Sequence, residues 1–536
     1  MVRFIWLFVL LCVTSICANA SGAFSVREYG AKGDGETKDT AAVQKAIDDA
    51  AKAGGGAVLF SAGTYLCGSL HLCSHVGLSL EAGATLKGSP DKDDYDPYEK
   101  LDFKNDADSE TSFFHFALIW GEDIENIAIT GSGTIDSNRD RRHGPKTIAL
   151  KRCRFVTIRD VRLLNAPNYN ISMIGTDFVT IDGVTILNGF ADGIDPDSCR
   201  NVRIANCHIE ASDDAIVPKA SFALGERRSC ENIAVTNCYL ATDAHAFKLG
   251  TESGGDFKRI AVSNCVMSGM AGGRPARGGI ALESVDGSNI DDVAVSNISM
   301  VDVRAPIFIR LGNRGRDMAT PTPGSLRNVV ISEVVATGAS NTCSVSGIPD
   351  HPVVGVTLSN IRIAWKGGCP FRNPDEPVPE NIDEYPDPNI FDALPAYGFY
   401  CRHVEGLRMS NLDLGFDDTF WRIVDEGKKS RARWGSDGVP HPSKPGQPGY
   451  AIVFDDVTRL DLDGFRARTA AEGPGTIRMV DVRDALLRGC VAPDTAHFLE
   501  VLGHRSAGIH LKSNVLAAGE AVVMKDCDAT AVSVAN

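Results

Sequence analysis

At 536 residues with 43% hydrophobic content, the chain exceeds what one small core needs and calls for a large elongated domain or several domains. A formal net charge of −15 argues against nucleic acid as a partner. It also sets a repulsive background for any acidic ligand unless cations gather locally.

The first twenty residues, MVRFIWLFVLLCVTSICANA, join Arg3 to an apolar run of signal-peptide length and an Ala18-Asn19-Ala20 ending. That is the pattern of a secretory leader rather than a membrane span. The expected organisation is a leader over residues 1–20 and one domain over 21–536, exported to the medium or periplasm. No later segment approaches the roughly 18 uninterrupted apolar residues of a transmembrane helix, so no membrane partner is expected.

Next comes DTAAVQKAIDDAAKAGGG, in which Asp39 or Thr40 can cap a helix with Ala42, Val43, Ala46, Ile47 and Ala50 at helical spacing. Gly54 to Gly56 end it, and the strand GAVLF follows. From residue 156 onward, short alternating runs recur: VTIRDVRLL, VTIDGVTIL, VRIANCHIE, IAVTNCYLA, IAVSNCVMS and VAVSNISMV. Their landmark residues Asp160, Gly183, Asn206, Asn237, Asn264 and Asn297 are 23, 23, 31, 27 and 33 residues apart. Strands of about five residues at this period, with turns too short for crossover helices, build an all-β parallel β-helix rather than a doubly wound sheet. The helix then covers the open N-terminal end, and the recurrent Asn is expected to form an internal ladder. Two Pro-rich stretches, residues 367–395 and 428–448, interrupt the repeat as long surface loops.

Of the fifteen cysteines, Cys207, Cys238 and Cys265 occupy one repeat position and read as stacked buried thiols, whereas Cys67 with Cys73 and Cys343 with Cys369 are candidate bridges. Sequons stand at Asn170 and Asn297.

Five aspartates fall between Phe190 and Lys219. Neighbouring coils lie about 4.8 Å apart. Asp192 and Asp214 are separated by 22 residues, one short coil, and His245 and Asp214 each lie eight residues past their landmark Asn. Asp192, Asp213, Asp214 and His245 therefore converge on one patch. Asp195 and Asp197, beside Pro196 and Ser198, read as solvent-facing or turn residues. Stacked like charges repel, so a purely structural role gives no reason to gather three of them. Such a cluster can hydrolyse a glycosidic bond, one carboxyl donating a proton while ionised partners polarise water. Alternatively, three carboxylates can hold Ca²⁺, as a polysaccharide lyase on the same scaffold would require.

The order FADGID, SDDAI, AHAFKLG resembles glycoside hydrolase family 28, the polygalacturonase-like pectin hydrolases. The likeness runs from FSVREYGAKGDGETKDTAAVQKAI through FHFALIWGEDIENIAITGSGTID to LPAYGFYCRHV. It implies a right-handed β-helix working by inversion without metal or cofactor. Asp213 would be the general acid, Asp192 with Asp214 the pair activating water, and His245 the accompanying imidazole. The implied substrate is an acidic plant cell-wall polysaccharide, and a monomer is expected. Phe190 and Ala191 replace the family's Asn-Thr, Ala244 and Ala246 replace the glycines flanking the His, and Ala281, Leu282 and Glu283 replace its Arg-Ile-Lys. Candidate replacements for the lost cations are Lys219, Lys248 and Arg310, with Arg314 and Arg316 nearby. Lys219 and Lys248 share a strand face, and FKLG aligned with FIRLG sets Arg310 in the Lys248 column. A rhamnogalacturonan hydrolase, an exo-acting galacturonidase, a Ca²⁺-dependent lyase and a non-catalytic adhesin are the competing readings.

Overall fold

Alternating apolar residues at a near-constant period leave the chain one way to bury them, which is to stack each coil on the last. The computed structural model describes residues 22–272, 274–366, 372–416, 449–468, 475–492, 497–516 and 521–535. The expected leader, the 428–448 stretch and Cys369 lie outside the described residues. The described chain is a right-handed parallel β-helix with 55% strand and 4% helix.

Coil-to-coil register follows the sequence intervals: Asp177 pairs with Arg200, Arg200 with Glu231, Cys230 with Phe257 and Phe257 with Ile290. One interior column reads Val156, Val179, Val202, Ile233, Ile260, Val293, Val329, Val356. All eight are buried. β-Branched side chains suit this stack because their stiff χ1 lets identical shapes nest at strand spacing.

The helix Thr40–Lys52 closes the N-terminal end, burying Val43, Ala46, Ile47 and Ala50. Asp39 stands at its start but does not cap it. Its carboxylate instead accepts from the backbone N–H groups of Lys32 and Gly33, at 2.6 and 2.9 Å.

The Asn ladder lies on the outside of the coil, contrary to the expectation of an internal one. Asn206, Asn237, Asn264 and Asn297 are exposed; Asn237 donates to Asn206 at 3.4 Å and Asn297 to Asn264 at 2.7 Å, while Asn264 donates to Thr236 Oγ1 at 3.3 Å. Each has a left-handed backbone with φ between 56° and 57°, as do Asp160 and Gly183 at 63° and 67°. The position demands a residue that tolerates positive φ, and Asn, Asp and Gly do. The ladder thiols are buried beside it as expected. Cys67 and Cys73 are unlinked thiols, so that bridge is absent. Asn170 is fully buried, and its Nδ2 donates to the backbone carbonyl of Asp192 at 3.0 Å, so only the exposed Asn297 sequon is accessible.

The described part of the first Pro-rich stretch, residues 372–395, does not project from the solenoid. It folds down onto one sheet, where Asn313 N donates to Ile382 O at 2.7 Å and Arg402 donates to Val378 O at 2.8 Å.

Candidate active site

Asp192 lies two residues before the strand Ile194–Asp197, Asp213 and Asp214 lie in the bend of the next coil, and His245 opens the strand His245–Leu249 one coil further. Isolated parallel bridges Ile194–Ile216 and Ile216–Phe247 fix the stack. Asp192, Asp214 and His245 therefore stand in one column, as the spacing predicts. Oxygens of Asp192, Asp213 and Asp214 all lie within 4.8 Å of one another.

The backbone N–H of Asp214 is shared between Asp192 Oδ1 and Asp213 Oδ1, 3.2 Å from each. Asp214 Oδ1 accepts from His245 N at 3.0 Å and from His245 Nδ1 at 2.8 Å. That bond places the imidazole proton on Nδ1, which leaves the buried Nε2 without a hydrogen-bond partner among the described residues. Gly278 lies over His245 in the next coil, and a Cβ there would stand 2.6 Å from His245 Cδ2. Only glycine leaves room for the ring.

Two lysines meet the acids from inside the fold. Lys219 Nζ donates to Asp192 Oδ2 at 2.8 Å and Asp195 Oδ1 at 2.7 Å, and sits 4.1 Å from the Tyr169 ring centroid. Lys248 Nζ donates to Asp214 Oδ2 at 3.0 Å. Burial raises Asp192 well above the usual carboxylate range despite the opposing charge of Lys219, and it raises Asp195 too. Burial acts on Asp214 in the same direction, but Lys248 and His245 overcome it and hold that carboxyl below the usual range. The two acids facing each other across one coil are thus pushed apart, Asp192 toward the neutral form and Asp214 toward the charged one.

Asp195 and Asp197 are not solvent-facing. Both are buried; Asp195 shares Lys219, and Asp197 accepts from Ser221 N at 2.9 Å and from Ser221 Oγ. Asp195 balances the Lys219 charge, and Asp197 ties its coil to Ser221 of the next.

Arg310 is not in the Lys248 column. Lys248 pairs with Ala281, which pairs with Phe308, so Arg310 is displaced by two residues and stands over Glu283. Its buried guanidinium donates to the carbonyls of Glu380, Asn381 and Gly347, at 2.7, 2.9 and 3.2 Å, pinning the 372–395 segment. It is a clasp for that segment. Arg314 is likewise committed to Asp286, and Arg316 to Glu252.

Four residues beside the carboxylates escaped the sequence reading. Arg142 donates to Asp213 Oδ2 at 2.5 Å, and Arg277 Nη2 stands 3.9 Å from Asp213 Oδ1. Their side chains are 36% and 39% exposed, unlike the buried lysines. Asp387 pairs with Arg277 at 3.1 Å, and the half-exposed Tyr385 places its ring centroid 5.8 Å from Lys248 Nζ. No periodic signal marks three of them: Arg142 lies in NRDRRHG outside the repeat, and Tyr385 and Asp387 lie in the Pro-rich stretch; Arg277 lies on the strand Ala276–Ser284, one residue before the glycine that pairs with His245. Glu283 is also notable. It is buried, neither oxygen has a hydrogen-bond partner among the described residues, and burial pushes its carboxyl up to about 8.

Three clustered carboxylates on a parallel β-helix can hydrolyse a glycosidic bond, and likeness to known proteins sets the chain in a class, the β-helical glycoside hydrolases. A family model described as glycosyl hydrolases family 28 matches residues 98–373, and one described as rhamnogalacturonase A/epimerase, pectate lyase-like, matches residues 23–94. A probable polygalacturonase of Vitis vinifera is 29% identical over 370 residues, 63% of this chain and 74% of that one. An endo-polygalacturonase of Pectobacterium carotovorum is 26% identical over 307 residues, 52% and 73% of the two chains. Among solved structures, the exopolygalacturonase of Thermotoga maritima superposes with a TM-score of 0.58 at 21% identity, covering 74% of this chain and 91% of that one, and shares the fold. The chain belongs to glycosyl hydrolases family 28, and is a polygalacturonase-like glycoside hydrolase.

Proposed function

We propose that this protein hydrolyses galacturonic-acid-containing pectic polysaccharide by inversion, with Asp213 as general acid and Asp192 with Asp214 holding the attacking water. The observation that carries this reading is the cluster of Asp192, Asp213 and Asp214 with oxygens within 4.8 Å, on a family 28 chain. In the reaction Asp213 gives its proton to the glycosidic oxygen as the bond from that oxygen to C1 breaks. The water oxygen bonds C1 from the opposite face, and the water proton passes to Asp214, the carboxylate kept ionised by Lys248 and His245. Asp192, raised by burial, shares the water with it. Lys219 and Lys248 act through these acids, since their ammonium groups already serve them.

Lys219 and Lys248 already pair with Asp192 and Asp214 and offset their charge, which favours metal-free hydrolysis over a Ca²⁺-dependent lyase. Two-carboxylate inverting sites usually separate their acids by roughly 6.5–9.5 Å, more than the oxygen spacing here, so inversion rests on family membership and is checked by NMR of the first-formed anomer.

The protein acts as an exported monomer, its leader ending near residue 20; N-terminal sequencing of the exported protein starting near Ser21 tests this. The decisive experiment incubates the protein with polygalacturonate, rhamnogalacturonan and their oligomers in EDTA and identifies products by mass. Saturated galacturonate products are expected, and their sizes separate endo from exo cleavage. Unsaturated ends would make it a lyase, and no products an adhesin.

A further inference from the structure

Asp213 is the acid of the proposed reaction, yet both of its oxygens already accept hydrogen bonds. Oδ1 accepts from the backbone N–H of Asp214 at 3.2 Å and faces Arg277 at 3.9 Å. Oδ2 accepts from Arg142 Nη1 at 2.5 Å. A general acid must present an O–H to the leaving oxygen, and an oxygen that also accepts from a guanidinium has one lone-pair direction fewer in which to do so.

Arg142 is placed for this contact by a fixed segment. The neighbouring His143 N donates to Pro167 O at 2.8 Å, and Asn168 Nδ2 donates to Gly144 O at 3.0 Å. The far edge of the guanidinium is held by Glu110, through Nε at 3.2 Å and through Nη2. With Glu110 as a permanent anchor, only the Nη1 contact to Asp213 is left to exchange. Among the cations proposed from sequence, Lys219, Lys248 and Arg310 are buried with partners, Arg314 is held by Asp286, and Arg316, 33% exposed, is held by Glu252. Arg142 is 36% exposed and touches the acid.

We propose that Arg142 is a latch on Asp213 that a substrate carboxylate releases. A galacturonate carboxylate arriving at the groove takes the Nη1 hydrogen bond, and Asp213 Oδ2 is freed to take a proton from solvent and then deliver it. The exchange replaces one charge-assisted hydrogen bond by another and costs little. A neutral sugar offers only a hydroxyl, roughly half as strong an acceptor, and leaves the latch closed. Arg142 would then be a specificity-determining residue acting on kcat as well as on binding, in place of the family cations that Ala281 and Glu283 have lost. The inference rests on the proposed polygalacturonase reading and deepens it.

The test compares wild type with Arg142→Met on a galacturonate oligomer and on its carboxyl-reduced counterpart, across pH. In wild type, the basic limb of the kcat profile should lie at lower pH on the reduced oligomer than on the acidic one. In Arg142→Met the two limbs should coincide. The kcat on the reduced oligomer should rise on the order of tenfold, and kcat/KM on the acidic one should fall by a similar factor. Equal losses on both substrates with unchanged limbs would overturn the latch and leave Arg142 a wall of the groove. If Arg142→Met does not fold by circular dichroism, Arg142→Gln decides, since its amide keeps a hydrogen-bonding group beside Glu110 but carries no charge for Asp213; coincident limbs support the latch and separated limbs overturn it. Wild type that cleaves neither oligomer would overturn the polygalacturonase reading itself, and the latch with it.

Discussion

Asp213 and Asp214 are adjacent in sequence but differ in what surrounds them, and that difference is measurable. Asp213 is partly exposed at the groove, so Asp213→Asn should lower kcat by about 10²–10⁴ with the thermal midpoint nearly unchanged. Turnover close to wild type on a substrate with a poor leaving group would remove Asp213 from the acid role. Asp214→Asn leaves Lys248 and His245 buried without their carboxylate and should destabilise by about 3–5 kcal/mol, read from denaturant unfolding. Glu283 sets a third test. Its carboxyl is raised by burial to about 8, above its unfolded value, so the folded state holds a proton that the unfolded chain has lost. Stability contributed by this group is complete at low pH and declines as pH climbs through the unfolded value toward 8. Glu283→Gln should flatten that decline in thermal midpoint between pH 5 and pH 8, and an unchanged slope would show that another group carries it. Spacing alone made Asp192, Asp214 and His245 legible, because stacking converts a sequence interval into a contact. Arg142 was not legible, because its approach to Asp213 depends on how an irregular segment folds back, whereas Arg277 lies on the regular strand Ala276–Ser284 beside the Gly278 that pairs with His245, so the coil register could have found it.

At the scale of the element, the recurrent strand and its left-handed turn explain why one residue type returns at one place. Asn264 has φ 57°, accepts from Asn297 at 2.7 Å and donates to Thr236 Oγ1 at 3.3 Å. Asn264→Gly keeps the backbone conformation and should cost little. Asn264→Val puts a β-branched residue at positive φ and should cost about 1–3 kcal/mol, seen as a lowered denaturation midpoint. Equal costs for both would mean that the side-chain ladder, not the backbone, selects Asn. The sequence pattern located this ladder but set it inside the coil. Alternation cannot separate an inward polar residue from an outward one at a turn, where the period-two rule lapses.

For the molecule as a whole, far-ultraviolet circular dichroism should be β-dominated, in keeping with 55% strand and 4% helix. A spectrum with about a third helix, the globular average, would contradict the solenoid. The groove is a product of this architecture: the coils supply the column of acids, and the segments over residues 137–145 and 372–395 bring Arg142, Tyr385 and Asp387 to its edges.

The sequence by itself determined the solenoid, its end-covering helix, its coil lengths and the column of Asp192, Asp214 and His245. Each is a consequence of local periodicity carried forward by constant strand spacing. Only the tertiary structure decided which charges meet. It turned Asp195 and Asp197 inward and gave Lys219 and Lys248 to the acids. It also moved Arg310 two residues out of its expected column to clasp a distant loop. A one-residue change in register swaps the face of a strand and a two-residue change moves a side chain along it, and irregular loops carry no period at all. Those contacts are settled by packing across coils far apart in sequence, where no interval records them.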